Sequence, residues 1–350
     1  MNVSHFRSFG STKKDVPAFF KEYLELFNSS NAIESVLPRK VESYKDLEKL
    51  GVRMNKPKDI DLDSVQRGII DPLYYLIDSG GKRWRPVYGL ILANDFGMNV
   101  HDHEKHRVLY HLLATWELIH NATLVIDDIE DKSLKRRGMD CAYIKYGLDI
   151  AINAGCLLLT LPQASLNQVM DIKDPVLPEL LREISKELVC VHFGQNWDIN
   201  WHNGHYLPNE DDYMQMTSSK TGVIPRLIAS LVWILNGADE THIERIKQMT
   251  DKLGIAFQIQ DDVIALESDA YADARGIIGE DIHEGKRTLM VIHSRKNLPH
   301  KDGNRLIEIL DMQTDDKALI KEAIDLIKST KSIEYAKKVS EELITRYVLT

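Results

Sequence analysis

Three observations predict an all-α protein. From "LDSVQRGIIDPLYYLID" (62–78) onward, apolar residues recur at spacings of three and four and rarely alternate, which is the period of a helix and not of a strand. Proline and glycine number only 11 and 19 in 350 residues, fewer than a chain of many strands and turns would need. The turn signals "SGGKRWRP" (79–86), "RRGMD" (136–140), "NGHYLPNED" (203–211) and "NGADE" (236–240) are far apart, leaving long uninterrupted segments between them.

Taken in order, residues 1–60 read as a partly helical N-terminal extension with "AFFKEYLELF" (18–27) as its one amphipathic piece. Residues 61–350 read as one large all-α domain, because no Pro/Ser-rich linker divides them and helical spacing runs through the middle. Long helices are expected from about Glu104 to Ser133, from about Asp211 to Asn236 and from about Glu240 to Leu266. No short-period repeat or low-complexity stretch interrupts the pattern.

Composition excludes several classes. A formal charge of −9 argues against nucleic acid as a partner, although a local basic cluster could still hold a small phosphorylated ligand. The longest apolar runs, such as "LIASLVWILNG" (227–237), fall short of the roughly 20 residues that span a bilayer, so no transmembrane segment is expected. Three scattered cysteines, Cys141, Cys156 and Cys190, make neither a disulfide framework nor a zinc site and point to a reducing compartment. The first fourteen residues carry bases and no acid, an echo of a transit peptide, but acids soon return; a cytoplasmic location is expected, with organellar import the minority alternative.

The chemistry concentrates where apolar runs end in charge. In "LIHNATLVIDDIEDKSLKRRG" (118–138), Asp127 and Asp131 share one helix face a turn apart, with Asp128 beside them. Like charges at that spacing repel unless a cation offsets them, and Mg²⁺ favours carboxylate oxygens together with substrate phosphate oxygens. The alternative is a helix end surfacing into water. A second pair, Asp261 and Asp262 in "GIAFQIQDDVIAL" (254–266), again follows an apolar helical run. Basic residues lie in "GGKRWRP" (Lys82, Arg83, Arg85), in Arg136–Arg137 before Gly138, in "SSKTG" (218–222, with Lys220) and in "HEGKRT" (283–288, with Lys286). Singly each is ordinary. Jointly, two acidic clusters and four basic patches suit a diphosphate held through metal on one side and by bases on the other.

Other features carry less. The histidines of "HDHEKH" (101–106) and "HFGQNWDINWHNGH" (192–205) lack a zinc-ligand spacing. The "KTG" at 220–222 lacks the Ser-x-x-Lys nucleophile of penicillin-binding enzymes.

In order along the chain, "GGKRWRP", "LIHNATLVIDDIEDKSLKRRG", "FGQNWDINW", "SSKTG", "AFQIQDDVIAL" and "GEDIHEGKRTLMVIH" resemble the motifs of the trans-isoprenyl diphosphate synthases, the head-to-tail prenyltransferases, over roughly residues 65–345. "DDIED" followed by "RRG", with "GQNWDINW", is most similar to eukaryotic geranylgeranyl diphosphate synthases, and the "GEDIHEGKRTLMVIH" segment is similar to archaeal members. The resemblance implies an isoprenoid-synthase-type helical bundle around a deep central cavity, usually a homodimer, with the two acidic motifs facing each other across the cavity mouth. It implies Mg²⁺ as cofactor, three ions per active site, with Asp127, Asp128 and Asp131 binding two and Asp261 a third. By the same resemblance Arg136, Lys220 and Lys286 would touch the allylic diphosphate, Lys82, Arg85, His120 and Arg137 would hold isopentenyl diphosphate, and Thr221 and Gln258 would face the allylic cation. One departure stands out: the second motif usually ends in a third aspartate, and here that position is Ala265, a change common in eukaryotic geranylgeranyl synthases.

By the same resemblance, the allylic tail would run beside the helix that carries the first acidic motif, and product length is expected to depend on that helix. Thr123 and Ala122, four and five residues before Asp127, lie about 6–8 Å down the helix. Aromatic side chains there would floor the pocket early; these small ones leave it open, with Leu118 or Ile119 the next floor, then Thr115. A C20 product is expected, a longer polyprenyl chain being the alternative. A non-catalytic partner subunit would show eroded acidic and basic motifs, and a terpene cyclase would not need the second diphosphate site formed by Lys82, Arg85 and His120.

Overall fold

The computed structural model describes residues 18–53, 61–267 and 279–347, and the regular structure among them is helical apart from one two-residue-strand hairpin. The chain divides into two compact units, Met1–Ser185 with Leu227–Glu244, and Lys186–Arg226 with Arg245–Thr350.

In the first unit, α1 (Ala18–Ser29) carries Phe20 and Phe27 seven residues apart, which places both on one face, and both are buried. The Phe27 ring stacks on Tyr110 at 6.5 Å. Two short helices follow, α2 (Ala32–Val36) and α3 (Tyr44–Lys49), with Ile33, Val36 and Leu37 buried. Residues 18–49 are therefore helical in three pieces where the spacing alone marks one, because α2 and α3 are too short to display a period. Helix α4 (Leu62–Val65) passes through a π-helical turn, Gln66–Ile70, into α5 (Asp71–Asp78), and the Tyr74 hydroxyl donates to the Leu37 carbonyl at 2.5 Å.

Helix α6 (Trp84–Asp95) lies against α7 (Arg107–Glu130), where Gly89 leaves room for Leu113 that no side chain could share. Buried around most of its circumference, α7 is the axis of this unit, with Trp116, Leu118, Ala122 and Val125 all nearly inaccessible. It ends three residues earlier than the apolar spacing suggests, because Lys132 takes φ 55° and turns the chain away. Strands β1 (Lys135–Arg136) and β2 (Met139–Asp140) then pair antiparallel, followed by α8 (Ala142–Tyr146) and α9 (Leu148–Leu166). Helix α9 packs closely along α7: a Cβ at Gly155 would sit 2.8 Å from Ile126.

Helix α10 (Leu177–His202) starts in the first unit and ends in the second. In the second unit, α11 (Glu210–Thr217) opens with a capping box between Asn209 and Asp212 and runs through a π-helical segment, Ser218–Gly222, into α12 (Val223–Leu235), which from Leu227 belongs to the first unit. The helix expected over 211–236 is thus continuous in path but changes its turn in the middle. Helix α13 (Glu240–Glu267) ends within one residue of the expected position. Beyond it come α14 (Glu280–His283), α15 (Leu289–Asn297), α16 (His300–Asp311), α17 (Lys317–Ser329) and α18 (Ser332–Tyr347). Ile255, Ile259, Met290, Leu306, Ile309 and Ile327 belong to the core of this unit. No helix among the described residues is long and apolar enough to cross a membrane.

Candidate active site

In the first unit, a candidate cluster is built by the end of α7 and the hairpin after it. Asp127 and Asp131 are half-buried and Asp128 is buried, at the helix end where the peptide dipoles leave negative charge. Three carboxylates added to that end call for positive charge. Part of it comes from the hairpin, whose turn residues Arg137 and Gly138 take φ of 55° and 79°, the left-handed pair of a type I′ turn. The chain reverses after α7 at Lys132, φ 55°, and Arg136, on the first strand, closes on the helix end. Its Nε lies 2.6 Å from Asp128 Oδ1, and its Nη2 lies 3.4 Å from Asp127 Oδ2.

Arg137, next in the turn, reaches the other way. Its guanidinium donates to the Leu76 carbonyl at 3.0 Å, to Ser79 Oγ at 3.2 Å and to the Gly80 carbonyl, so it fixes the Gly-Gly turn before α6. Gly81 has φ 134°, and a Cβ there would come 3.1 Å from the same guanidinium, so both the backbone and the close approach require glycine. The "RRG" and "GGKRWRP" motifs, over fifty residues apart, are thereby one structure. Burial holds the Arg137 guanidinium below the usual arginine range, with Arg136 and Arg83 adding to it. His120 is pushed well below its ordinary value by burial and then by Arg85, Arg137 and Arg136. It therefore sits neutral in a basic cluster, able to hydrogen-bond without adding repulsion. Lys82 is exposed on the loop that enters this cluster.

In the second unit, a separate cluster centres on the π-helical segment. Gly194 of α10 makes it possible: a Cβ there would come 2.7 Å from the Ser219 carbonyl carbon and closer still to the Lys220 nitrogen. On the other side, a Cβ at Gly254 would come 2.5 Å from Gly222 Cα. Between these contacts Lys220 directs its ammonium to Asp198 Oδ2 at 2.6 Å. Burial would raise the Asp198 carboxyl, but Lys220 and Lys286 nearby bring it below the usual carboxylate range. Lys286 pairs with Glu284 and lies 4.0 Å from Asp281 Oδ1. Thr221 Oγ1 donates to Gln258 Oε1 at 2.7 Å.

Of the expected acids in α13, Asp261 is half-buried and Asp262 is buried. Desolvation pushes the Asp262 carboxyl up to about 6, against the hydrogen bonds from Gln258 and Tyr213 that favour its charged form. Arg226 braces the segment from below. It donates to both oxygens of Glu187, at 2.8 and 2.6 Å, and at 2.6 Å to Asp251, which in turn accepts from Ser218 Oγ at 2.5 Å.

The structure thus gathers Arg85, His120, Arg136, Arg137 and Asp127 in the first unit, and Lys220, Thr221, Gln258, Asp262 and Lys286 in the second. Asp198, Tyr213 and Glu284 hold members of these groups, and sequence reasoning gave them no role. Asp198 lay in view inside "FGQNWDINW", where an acid interrupts aromatic and amide residues. Ala122 is fully buried, and its carbonyl oxygen is 3.6 Å from where a Gly155 Cβ would be; Thr123 is half-buried and donates to the His120 carbonyl at 2.8 Å. Leu118 is buried on the same helix.

Magnesium fits this donor set. It binds through one or two carboxylates and completes its shell with phosphate oxygens and water, so it needs no protein cage. Among the described residues no three of His, Cys, Asp and Glu converge into such a cage. What is present is a run of carboxylates on a negative helix end with Asp127 and Asp131 partly open.

The chain is similar to known proteins over most of its length. The family model for polyprenyl synthetase matches residues 66–327. A short chain isoprenyl diphosphate synthase of Methanocaldococcus jannaschii is 35% identical over 271 residues, covering 76% of this chain and 79% of the relative. A geranylgeranyl pyrophosphate synthase of Dictyostelium discoideum is 34% identical over 277 residues, covering 79% and 85%. Among solved structures, geranylgeranyl pyrophosphate synthetase from Pyrococcus horikoshii superposes with a TM-score of 0.72 at 27% identity, over 93% of this chain and 90% of that one.

Proposed function

The chain belongs to the polyprenyl synthetase family and is a trans-prenyltransferase, and on that premise we propose that it is a Mg²⁺-dependent geranylgeranyl diphosphate synthase. It joins isopentenyl diphosphate to an allylic diphosphate and releases diphosphate, ending at C20. The observation that carries the chain length is the pair of small side chains, Ala122 and Thr123, one turn before Asp127 on α7. Relatives named as geranylgeranyl synthases support the same length.

In this reading Asp127, Asp128, Asp131 and Asp261 hold three magnesium ions with the allylic diphosphate. When bound, the metal offsets charge on the departing diphosphate and so eases ionisation of the allylic C–O bond. Arg136, Lys220 and Lys286 bind the same diphosphate. Each is held by a protein carboxylate in the structure, so each arrives oriented and exchanges one anion for another. Lys82, Arg85, His120 and Arg137 hold isopentenyl diphosphate, with His120 serving as a neutral hydrogen-bonding group.

With its proton committed to Gln258, Thr221 Oγ1 presents lone pairs to the developing cation, and Gln258 is the second polar group there. The isopentenyl double bond attacks the cation, and the proton lost passes to the released diphosphate. An apolar environment excludes the water that would otherwise quench the cation.

A second copy of the chain is the proposed partner, supported by the exposed apolar residues Ile144, Leu148 and Ile152 on α8 and α9. Three free thiols, one of them exposed, suit the cytoplasm. Turnover after removal of metal with a chelator tests the core of this reading. It should vanish and return with Mg²⁺, and Asp127→Ala should abolish it without changing the unfolding temperature. Near-normal rates in that variant would make the metal assignment wrong.

A further inference from the structure

The acids of the pair at 261–262 have different surroundings. Asp261 is half-buried, whereas Asp262 is only 8% exposed and both of its oxygens accept hydrogen bonds. Tyr213 donates its hydroxyl to Oδ2 at 2.7 Å, and Gln258 donates Nε2 to Oδ1 at 2.8 Å. The other end of the same amide, Oε1, accepts from Thr221 Oγ1 at 2.7 Å. Tyr213 is itself buried, 1% exposed, in the core of the second unit.

The direction of this chain is determined at one end. An amide can turn over, exchanging its NH2 and its oxygen at almost no steric cost. A carboxylate only accepts, so Asp262 requires the NH2 of Gln258 to face it, and the amide oxygen must then face Thr221. The Thr221 hydroxyl therefore donates to Gln258 and keeps its lone pairs elsewhere. Tyr213 completes the arrangement by occupying the second oxygen of Asp262, which removes the alternative of that oxygen swinging toward the amide. The other acid of this helix end, Glu267, is held by Lys337 at 2.7 Å, and position 265 is the buried Ala265. Asp261 is the acid of this segment that the prenyl-transfer reading assigns to metal.

We propose that Asp262 and Tyr213 are positioning residues that fix the orientation of the Gln258 amide and the Thr221 hydroxyl, and that Asp262 is not a metal ligand. The proposal rests on the prenyl-transfer reading and deepens it: the two adjacent aspartates divide the work, one toward metal and one toward the groups facing the cation. Thr221 and Gln258 touch substrate; Asp262 and Tyr213 act through them.

Three variants, with Asp261→Asn for comparison, and two readouts test this. Asp262→Asn keeps an oxygen to accept from Gln258 and can donate its new NH2 to the Tyr213 oxygen. Asp262→Leu keeps the branched shape, though larger, and accepts nothing. Tyr213→Phe removes one donor. The first readout is steady-state kinetics with Mg²⁺ varied. The second needs no turnover: the rise in unfolding midpoint when Mg²⁺ and a non-ionising thiolo analogue of an allylic diphosphate are added together.

Asp262→Asn should keep the wild-type rise in midpoint and a half-saturating Mg²⁺ concentration within about twofold, while Asp261→Asn loses the rise. Tyr213→Phe should lower kcat about threefold to tenfold, and Asp262→Leu about tenfold or more, with the KM for isopentenyl diphosphate unchanged. Loss of the midpoint rise in Asp262→Asn, or full kcat in Tyr213→Phe, overturns the proposal. If Asp262→Leu does not fold, the other two variants still decide. A wild-type protein that neither turns over nor responds to the analogue overturns the prenyl-transfer reading itself, and this proposal with it.

Discussion

Arg136 and Asp128 are one buried ion pair: the guanidinium contacts Asp128 Oδ1 through Nε at 2.6 Å and Nη2 at 2.5 Å, with side chains 9% and 3% exposed. The pair joins the end of α7 to the hairpin that returns from it, and so joins the first acidic motif to the basic pair that follows it.

Removing one partner of such a pair leaves a buried charge without its counterpart. Arg136→Met should therefore lower stability by about 3–5 kcal/mol, read from the urea midpoint at unchanged slope. Replacing both partners, Arg136→Met with Asp128→Leu, should recover much of the loss. A single variant within about 1 kcal/mol of wild type would mean the pair contributes little.

Gly194 lies where α10 meets the backbone of the π-helical segment, and any Cβ there collides with main-chain atoms that have no flexible end to move. Gly194→Ala should cost about 1–3 kcal/mol or more. It should also reduce turnover by displacing Lys220 and Thr221. Thermal unfolding and kcat measured on the same preparation check both parts. A folded variant with unchanged midpoint would show that α10 can move aside.

The depressed His120 gives a pH dependence with a definite sign. Its pKa in the folded protein lies well below 6.5, so below about pH 6.5 the unfolded chain binds the proton more readily than the folded one. Stability from this group is fully present above pH 6.5 and is lost as pH falls below it, by no more than about 1.4 kcal/mol per pH unit for one proton. His111, held at about 4 chiefly by burial, acts in the same direction. Denaturation of His120→Gln at pH 7.5 and 5.5 should show a smaller drop than the wild type. An equal or larger drop would mean that His120 is not kept neutral by its surroundings.

Much of this was legible in the sequence, for a physical reason. Acids and bases at the ends of apolar runs are costly without a purpose, so Asp127, Asp128, Asp131 and Asp261 declare themselves, as do Arg136, Lys220 and Lys286. Long helices such as α13 declare themselves through period. What stayed hidden depends on distant partners. That Arg136 closes on Asp128 depends on the left-handed reversal at Lys132, and the strands that follow are too short to alternate. The π-helical turn at Ser218–Gly222 interrupts the 3.6-residue period, and its cause, the bare Cα of Gly194, lies on another helix. Asp198 and Tyr213 acquire roles only because those helices pack. The family resemblance gives the proposed roles of the motif residues but not these supports.

Ala122 and Thr123 predict a change of product. In the proposed reading, an aromatic ring at either position closes the path for the growing chain one turn beyond Asp127. Ala122→Phe should shift the main product toward C15. Since Ala122 is fully buried near Gly155, Thr123→Phe at the half-buried neighbour provides the same test with less risk to folding. Chromatography of dephosphorylated products reads the outcome, and unchanged C20 from both folded variants would sink the assignment of chain length to these residues.

The central claim is tested most directly by incubating the purified protein with labelled isopentenyl diphosphate, Mg²⁺ and, in turn, dimethylallyl, geranyl and farnesyl diphosphates. The account predicts label in a C20 diphosphate as the terminal product. Products of C25 or more would assign the chain to the longer polyprenyl synthases, and no incorporation with any primer would contradict the proposed function outright.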